Sequence, residues 1–389
     1  MLIGLIGAPN KGKSTLFSAL TLNDAEIADY PFTTIKPNLG VAYAAKPCVE
    51  AELHTKCNPR NSLCVKGIRM MPVNVIDVAG LVEDAHKGRG MGNQFLTDLA
   101  QADALILVVD ASGQTDSEGA MTGPCDPRDE VHAIKKELNF WVAGIIGRHM
   151  QSLSQKADGA AAISEILAGM HLGKDRVEAA MDSLGLQKYR IRWSEEEILR
   201  FAEKAVETSK PLIIAANKCD VKGAEGNLEK LKAEFGEDKV VGCSAAIELA
   251  LRKASKAGII DYVPGDKSFK ALKDGITEVQ KHALETMSRF ISVKGTGVQE
   301  LINAAVFLLL DEIVVYPVED EHRYSDSSGN VLPDAVLLKR GSTAKDLAFR
   351  IHTDIGNKML YAIDAKAKMR IGKDHVLKDG DVIKIVSAA

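Results

Sequence analysis

The stretch Gly7-Ala8-Pro9-Asn10-Lys11-Gly12-Lys13-Ser14 decides the fold. Before it runs the apolar segment Leu2 to Ile6, which reads as a short buried strand. After it, Thr15-Leu16-Phe17-Ser18-Ala19-Leu20 reads as the first turns of a helix. Strand, G-x-x-x-x-G-K-S and helix in that order make a phosphate-binding loop. Its glycines let the backbone from Gly7 to Thr15 wrap a phosphate chain with N–H groups, and the helix N-terminus adds favourable partial charge. In such a loop Lys13 reaches the β- and γ-phosphates and the Ser14 hydroxyl ligates Mg²⁺. A Gly-rich turn that fits by accident is the plain alternative, and the Lys-Ser pair after a strand argues against it.

The base is read about two hundred residues downstream. Pro211-Leu212-Ile213-Ile214-Ala215-Ala216 is a buried-strand run ending in Asn217-Lys218-Cys219-Asp220. The Asp220 carboxylate can accept two hydrogen bonds from the ring N–H and exocyclic amine of guanine, which adenine cannot supply. A site built on such a contact rejects the wrong partner by about 10⁴-fold or more. A further strand, Val240-Val241-Gly242-Cys243, leads into Ser244-Ala245-Ala246, where a backbone N–H can meet the guanine carbonyl oxygen. Between these markers lie two switch elements. In Tyr30-Pro31-Phe32-Thr33-Thr34, the loop residue Thr34 can close over the γ-phosphate and ligate Mg²⁺. In Asp77-Val78-Ala79-Gly80, Asp77 holds Mg²⁺ through water and the Gly80 N–H touches the γ-phosphate.

With those motifs in order, the chain resembles the Obg-related translational GTPases, most closely the YchF branch in its archaeal form. The resemblance rests on Tyr30 to Asn38, on the Gly-rich switch Gly80 to Leu96, and on Leu337 to Ile385, which looks like a TGS module. It implies a P-loop GTPase domain over residues 1–312, an open and mostly parallel α/β sheet, followed by a ubiquitin-like β-grasp TGS domain over 313–389. It also implies GTP and GDP as ligands, Mg²⁺, and the ribosome or its RNA as partner. Many YchF proteins carry a degenerate base motif and prefer ATP. This chain keeps Asn217-Lys218-Cys219-Asp220, so GTP is expected. An ATP-using hydrolase and a nucleotide-stabilised scaffold with little turnover are the alternatives.

Leu81 occupies the position where many GTPases carry the Gln that orients the attacking water. Its side chain makes no hydrogen bond, so slow intrinsic hydrolysis is expected. Asn10 offers one remedy, because in related GTPases an Asn there helps bind K⁺ beside the phosphates. His86 is a second candidate, with a solvated loop histidine as its default reading.

Composition fits a reducing cytoplasm and no membrane. The 389 residues carry 49 Lys and Arg against 53 Asp and Glu, a net charge of −4, which gives no global pull toward nucleic acid, and no DNA partner is expected. No run reaches the about 18 apolar residues of a spanning helix. From Asp334 onward there are eleven Lys and Arg, seven Asp and no Glu, a balance of +4 that leaves −8 for the rest. A basic small domain on an acidic body is what an RNA-docking module looks like, and ordinary surface scatter would give the same count. Lys366, Lys368 and Arg370 would share one face if extended, as RNA contacts or as a solvated edge that discourages strand pairing.

Strands are expected near Leu2–Ile6, Val73–Ile76, Ala104–Asp110, Pro211–Ala216 and Val240–Cys243. Residues from about 128 to 209 read as a helical insertion, and Gly297 to Leu310 as the closing helix of the core. Cys48, His54, Cys57 and Cys64 sit in one segment, with Cys57 to Cys64 reading as a hairpin. They lack the short paired spacings of structural zinc. Loop thiols packed on a sheet are the default, with a metal site or a Cys57–Cys64 disulfide as alternatives.

Overall fold

The computed structural model describes residues 1–22, 39–78, 99–116, 119–121, 123–272 and 276–388. The switch segments Tyr30 to Asn38, with Thr33 and Thr34, and Gly80 to Leu96, with Leu81 and His86, lie outside the described residues. The chain forms two compact units, Met1–Ala42 with Asn74–Leu301 and Tyr43–Val73 with Ile302–Ala389.

The largest sheet consists of strands β1 (Leu2–Ile6), β2 (Leu39–Pro47), β3 (Leu63–Val65), β4 (Ile68–Asp77), β5 (Ala104–Asp110), β6 (Leu212–Asn217) and β7 (Val240–Gly242), of which β3 lies wholly in the second unit. Their order is β2-β4-β1-β5-β6-β7, with β3 paired to β4. β2 and β4 run on into the second unit. The pairs β1–β4, β1–β5, β5–β6 and β6–β7 are all parallel. Every residue of β5 is buried, as expected of a parallel strand covered on both faces. Parallel strands put their C-terminal ends along one edge, where a ligand crevice forms. The loops after β1, β4, β6 and β7 carry the predicted nucleotide motifs.

Helix α1 (Lys13–Thr21) follows β1 directly. Helix α2 (Pro127–Arg148) is long because it serves two cores. Its first half buries Val131, Ile134 and Leu138 against the sheet. Its second half buries Val142 and Ile146 in a separate helical cluster with Ile163, Val177 and Phe201. That cluster is completed by α3 (Gly159–Ile166), α4 (Lys174–Leu184) and α5 (Glu195–Ser209). The helical cluster thus shares α2 with the core of the sheet. Ser194 and Glu197 start α5 with a reciprocal capping box. Further on come α6 (Ala224–Phe235), α7 (Ala245–Lys256), the short strands β8 (Ile260–Asp261) and β9 (Lys270–Ala271), and α8 (Glu278–Lys294).

The second unit holds a five-stranded sheet of β10 (Glu312–Val318), β11 (Val336–Lys339), β12 (Met359–Asp364), β13 (Met369–Ile371) and β14 (Val382–Ser387) in the order β11-β10-β14-β12-β13. One face packs Ile313, Val315, Leu347, Ala348 and Ile383 into a core with the helix Ala344–Ile351. Thr343 and Asp346 cap that helix reciprocally, as the sequence predicts. This sheet curled on one helix is the β-grasp arrangement of a TGS module.

Two expectations for this unit are corrected. Lys366, Lys368 and Arg370 do not share an extended face, because residues 365–368 form the turn between β12 and β13. Asp364 fixes that turn by accepting the N–H groups of Lys366 and Ala367 at 2.9 and 3.0 Å, and Lys368 takes the left-handed φ of 53°. Lys366 Nζ instead pairs with Glu52 at 2.5 Å, and the Arg370 guanidinium stacks 3.8 Å over the Tyr361 ring. The hairpin expected over Cys57 to Cys64 turns later, at Lys66-Gly67 between β3 and β4, where Val65 pairs with Ile68.

Candidate nucleotide-binding site

The loop after β1 is shaped by backbone demands that few side chains meet. Gly12 has φ of 84°, and a Cβ there would lie 2.3 Å from Asn217 Nδ2. Asn10 also takes a left-handed φ, 61°, and its Nδ2 donates to Gly119 O at 3.0 Å. Pro9 lies under the same segment, since a Cβ on Gly119 would come within 2.2 Å of Pro9 O. Ala8 is buried, while Ser14 and Thr15 open α1.

At the rim, Lys13 Nζ is ion-paired with Asp77 Oδ1, and Ser14 Oγ donates to Asp77 Oδ2 at 3.2 Å. Lys13 and the two described Mg²⁺ candidates therefore meet where the start of α1 faces the end of β4. A hydroxyl and a carboxylate at one point are hard oxygen donors of the kind that suits Mg²⁺.

The Asn217 side chain braces the site from the β6 end. Its Nδ2 donates to Lys11 O at 2.9 Å, and its Oδ1 accepts the Ala245 N–H at 3.0 Å. Lys218 takes φ of 64°, and its Nζ donates to Asn10 O at 2.9 Å and to Asp110 Oδ2 at 2.8 Å. Asp220 is exposed beyond them, and Ala246 is exposed in the first turn of α7. Ser244 caps α7 by accepting the Ile247 N–H at 3.2 Å, and its own N–H donates to Thr296 O at 2.9 Å.

Several supporting residues carried no sequence signal. Asp110, at the end of β5, accepts from Ser112 N and Oγ on one oxygen and from Thr115 Oγ1 and Lys218 Nζ on the other. Burial alone would raise its pKa, but the bonds from Lys218, Ser112 and Thr115 outweigh burial and hold it below the usual carboxylate value. Behind the base loop, Glu248 accepts Arg252 Nε at 2.5 Å, Tyr262 Oη at 2.8 Å and Thr296 Oγ1 at 2.6 Å, all buried. A fully partnered buried carboxylate of this kind rigidifies the loop it supports. These residues are ordinary in sequence, and only convergence of distant segments shows their role.

The Lys11 side chain, placed in the phosphate loop by sequence, turns away from the phosphate position. Its backbone oxygen serves Asn217, while its ammonium is buried against Thr115, Asp116 and Glu130.

Residues 2–143 match the family described as 50S ribosome-binding GTPase, 215–320 the Obg-like GTPase YGR210-like, G4 motif-containing domain, and 328–387 the TGS domain. A GTP-binding protein of Methanocaldococcus jannaschii is 52% identical over 100% of this chain and 99% of its own. The ribosome-binding ATPase YchF of Bacillus subtilis is 27% identical over 98% of this chain and 97% of its own. Among solved structures, a GTP binding protein from Pyrococcus horikoshii superposes with a TM-score of 0.79 at 38% identity, covering 100% of both chains. The Schizosaccharomyces pombe YchF GTPase shares the fold, with a TM-score of 0.59 at 20% identity over 99% of this chain and 97% of that one. Along its whole length, then, the chain belongs to the YchF branch of the Obg-related GTP-binding proteins, with a TGS domain at its C-terminal end.

Proposed function

We propose that the protein is a GTP-hydrolysing switch whose nucleotide state governs docking on the ribosome or its RNA. The observation that carries this reading is the convergence of Lys13 and Ser14 on Asp77, with Asn217 joining the phosphate loop to the base loop. Lys13 would neutralise charge on the β- and γ-phosphates, and the backbone N–H groups of Gly7 to Thr15 would cradle them. Mg²⁺, held by Ser14 and Thr34 with Asp77 in support, would supply charge stabilisation on the transferred phosphoryl group. Thr34 and Gly80 would complete the γ-phosphate contacts.

Base selection would rest on Asp220. Of the three residues in the base loop, Ser244 and Ala245 already commit their N–H groups to Thr296 O and Asn217 Oδ1. That leaves the Ala246 N–H for the guanine carbonyl. An ATP preference, the property in the name of the bacterial relatives, would have to forgo the Asp220 contact.

With Leu81 unable to orient water, intrinsic turnover is slow. K⁺ beside Asn10 would supply transition-state charge, with Oδ1 as its ligand while Nδ2 holds Gly119 O. We place the protein in the cytoplasm, where its proposed partner resides. No helix among the described residues is long and apolar enough to cross a membrane. For the working division of the chain we keep a GTPase domain over 1–312, with its insertion at about 128–209, and a TGS domain over 313–389.

Cosedimentation with ribosomal subunits, in GDP and in a non-hydrolysable GTP analogue, tests the reading. Binding should differ between the two states. Equal binding, with the same protease-cleavage pattern in both, would mean a scaffold whose nucleotide only supports the fold.

A further inference from the structure

The second unit gathers four metal-ligating side chains from three stretches of its chain. β2 ends at Pro47, and the next residue, Cys48, donates its N–H to Gly67 O at 2.8 Å. Its thiol therefore begins beside the turn that joins β3 to β4. A tight turn follows, closed by Leu53 N–H to Val49 O and Thr55 N–H to Glu50 O, both at 3.0 Å. That turn returns Cys57 to Cys48, with the two sulfurs 3.9 Å apart. Glu50 accepts the Cys57 N–H on Oε2 at 2.9 Å, and its Oε1 lies 3.8 Å from Cys64 Sγ in β3.

The ligand atoms of Cys48, Glu50, Cys57 and Cys64 all lie within 4.8 Å of one another. Tetrahedral zinc with Zn–S bonds of about 2.3 Å sets its ligand atoms about 3.8 Å apart. We propose that these four side chains form a structural Zn²⁺ site, with three thiolate sulfurs and Glu50 Oε1 as ligands. The Cys57 N–H on Oε2 orients the carboxylate, as outer partners of metal ligands do. Zinc would displace the thiol protons on binding.

A second observation concerns charge. Arg69 is the cross-strand partner of Cys64, so both side chains emerge on one face of the hairpin. Arg69 has no solvent exposure, and its guanidinium lies 5.4 Å over the Tyr316 ring. Nη2 donates to Leu332 O at 2.6 Å, but Nε and Nη1 have no hydrogen-bond partner. Among the described residues its one hydrogen-bond acceptor is that neutral carbonyl, and no carboxylate accepts from it. A buried cation without a counter-charge is costly. Three thiolates and a carboxylate around one dication carry a net −2, which supplies the missing counter-charge.

His54, grouped with the cysteines by sequence, is not a ligand. It is exposed, with φ of 51°, and Glu50 takes its place. The site would pin residues 48–64 to the β3–β4 hairpin. The same segment also pairs with 331–333, through Asn58 N–H to Val331 O and Arg60 N–H to Pro333 O.

The test uses the full-length chain purified under reducing, chelator-free conditions. Elemental analysis should find about one zinc per chain, and stripped protein should take up zinc, added alone, in competition with a chromogenic chelator. Replacing zinc by Co²⁺ should give the thiolate-to-metal charge-transfer absorption of a tetrahedral site. Cys57→Ser should lower zinc affinity by more than the roughly 10–100-fold typical of losing an outer partner, while His54→Ala keeps it. Should Cys57→Ser fail to fold, the wild type still decides the matter. Bound zinc should protect Cys48, Cys57 and Cys64 from alkylation, and a chelator should expose them. Failure to take up zinc, zinc uptake unchanged by Cys57→Ser, or an oxidised Cys48–Cys57 pair in the purified protein would each overturn the proposal.

Discussion

Lys11 Nζ lies 3.0 Å from Glu130 Oε2, with only 1% and 3% of the two side chains exposed. The same ammonium donates to Thr115 O, Thr115 Oγ1 and Asp116 O. The charge of Lys11 and the Ala8 backbone favour the ionised form of Glu130. Burial outweighs that charge and pushes the Glu130 carboxyl up to about 7.

This sets a pH dependence of stability. Folded Glu130 keeps its proton up to about pH 7, whereas in the unfolded chain it loses it near 4.5. The folded state binds more protons between those values, so stability falls as pH rises through that window. Glu130→Gln has no such proton to lose. Wild type should therefore lose stability relative to Glu130→Gln between pH 5 and 8, on the order of 3 kcal/mol. Urea unfolding at several pH values checks this, and parallel curves would mean that Glu130 titrates as it does in water.

Asn217→Ala should weaken GTP and GDP alike. It removes the bonds to Lys11 O and from Ala245 N–H, leaving both backbone groups unpaired in a buried setting. Each such loss costs about 1–3 kcal/mol. Affinity measured with a fluorescent guanine nucleotide should fall at least tenfold, and the thermal midpoint should drop. An unchanged affinity would mean that the bridge does not support the site.

Asp220→Asn should act on base choice alone. Loss of a charge-assisted hydrogen bond costs about 1.5–3 kcal/mol, so guanine affinity should fall at least about tenfold while ATP affinity barely moves. Competition of ATP against labelled GTP is the measurement. Equal wild-type affinity for ATP and GTP would remove the assignment.

Lys13→Ala and Ser14→Ala should abolish phosphate release, because in the proposed mechanism both groups would meet developing charge or its metal. Leu81→Ala should leave intrinsic turnover near wild type. K⁺ should raise turnover over Na⁺, and Asn10→Asp should change that ratio. Equal rates in the two salts would eliminate the cation from the mechanism.

Docking through the basic tail should be salt-dependent. Lys366 is engaged with Glu52, so the informative reversals are Lys368→Glu and Arg370→Glu. Each phosphate-binding cation removed should reduce the log–log salt slope by close to one unit. Ribosome binding should weaken while GTP affinity stays constant. Truncation after residue 313 is a poor substitute, because Tyr43–Val73 belong to the same compact unit as the tail and would lose its core.

The sequence by itself determined the motif order and much of the architecture. Gly7 to Ser14 after an apolar strand, Asn217 to Asp220 at the end of another, and the Thr343–Asp346 cap are local patterns, and each needs only its near neighbours to be read. Tertiary structure decided what depends on chain segments far apart. Nothing local says that Lys11 turns to Glu130, that Asp110 holds Lys218, or that Glu50 rather than His54 joins three cysteines. Nor does spacing alone reveal that the Lys366 to Arg370 run is a turn, since alternation describes a strand only if the backbone stays extended. Asp364 ends that strand by capping the turn. Buried charges find partners across long sequence separations because only a packed interior removes water and leaves each charge the neighbours that the fold provides.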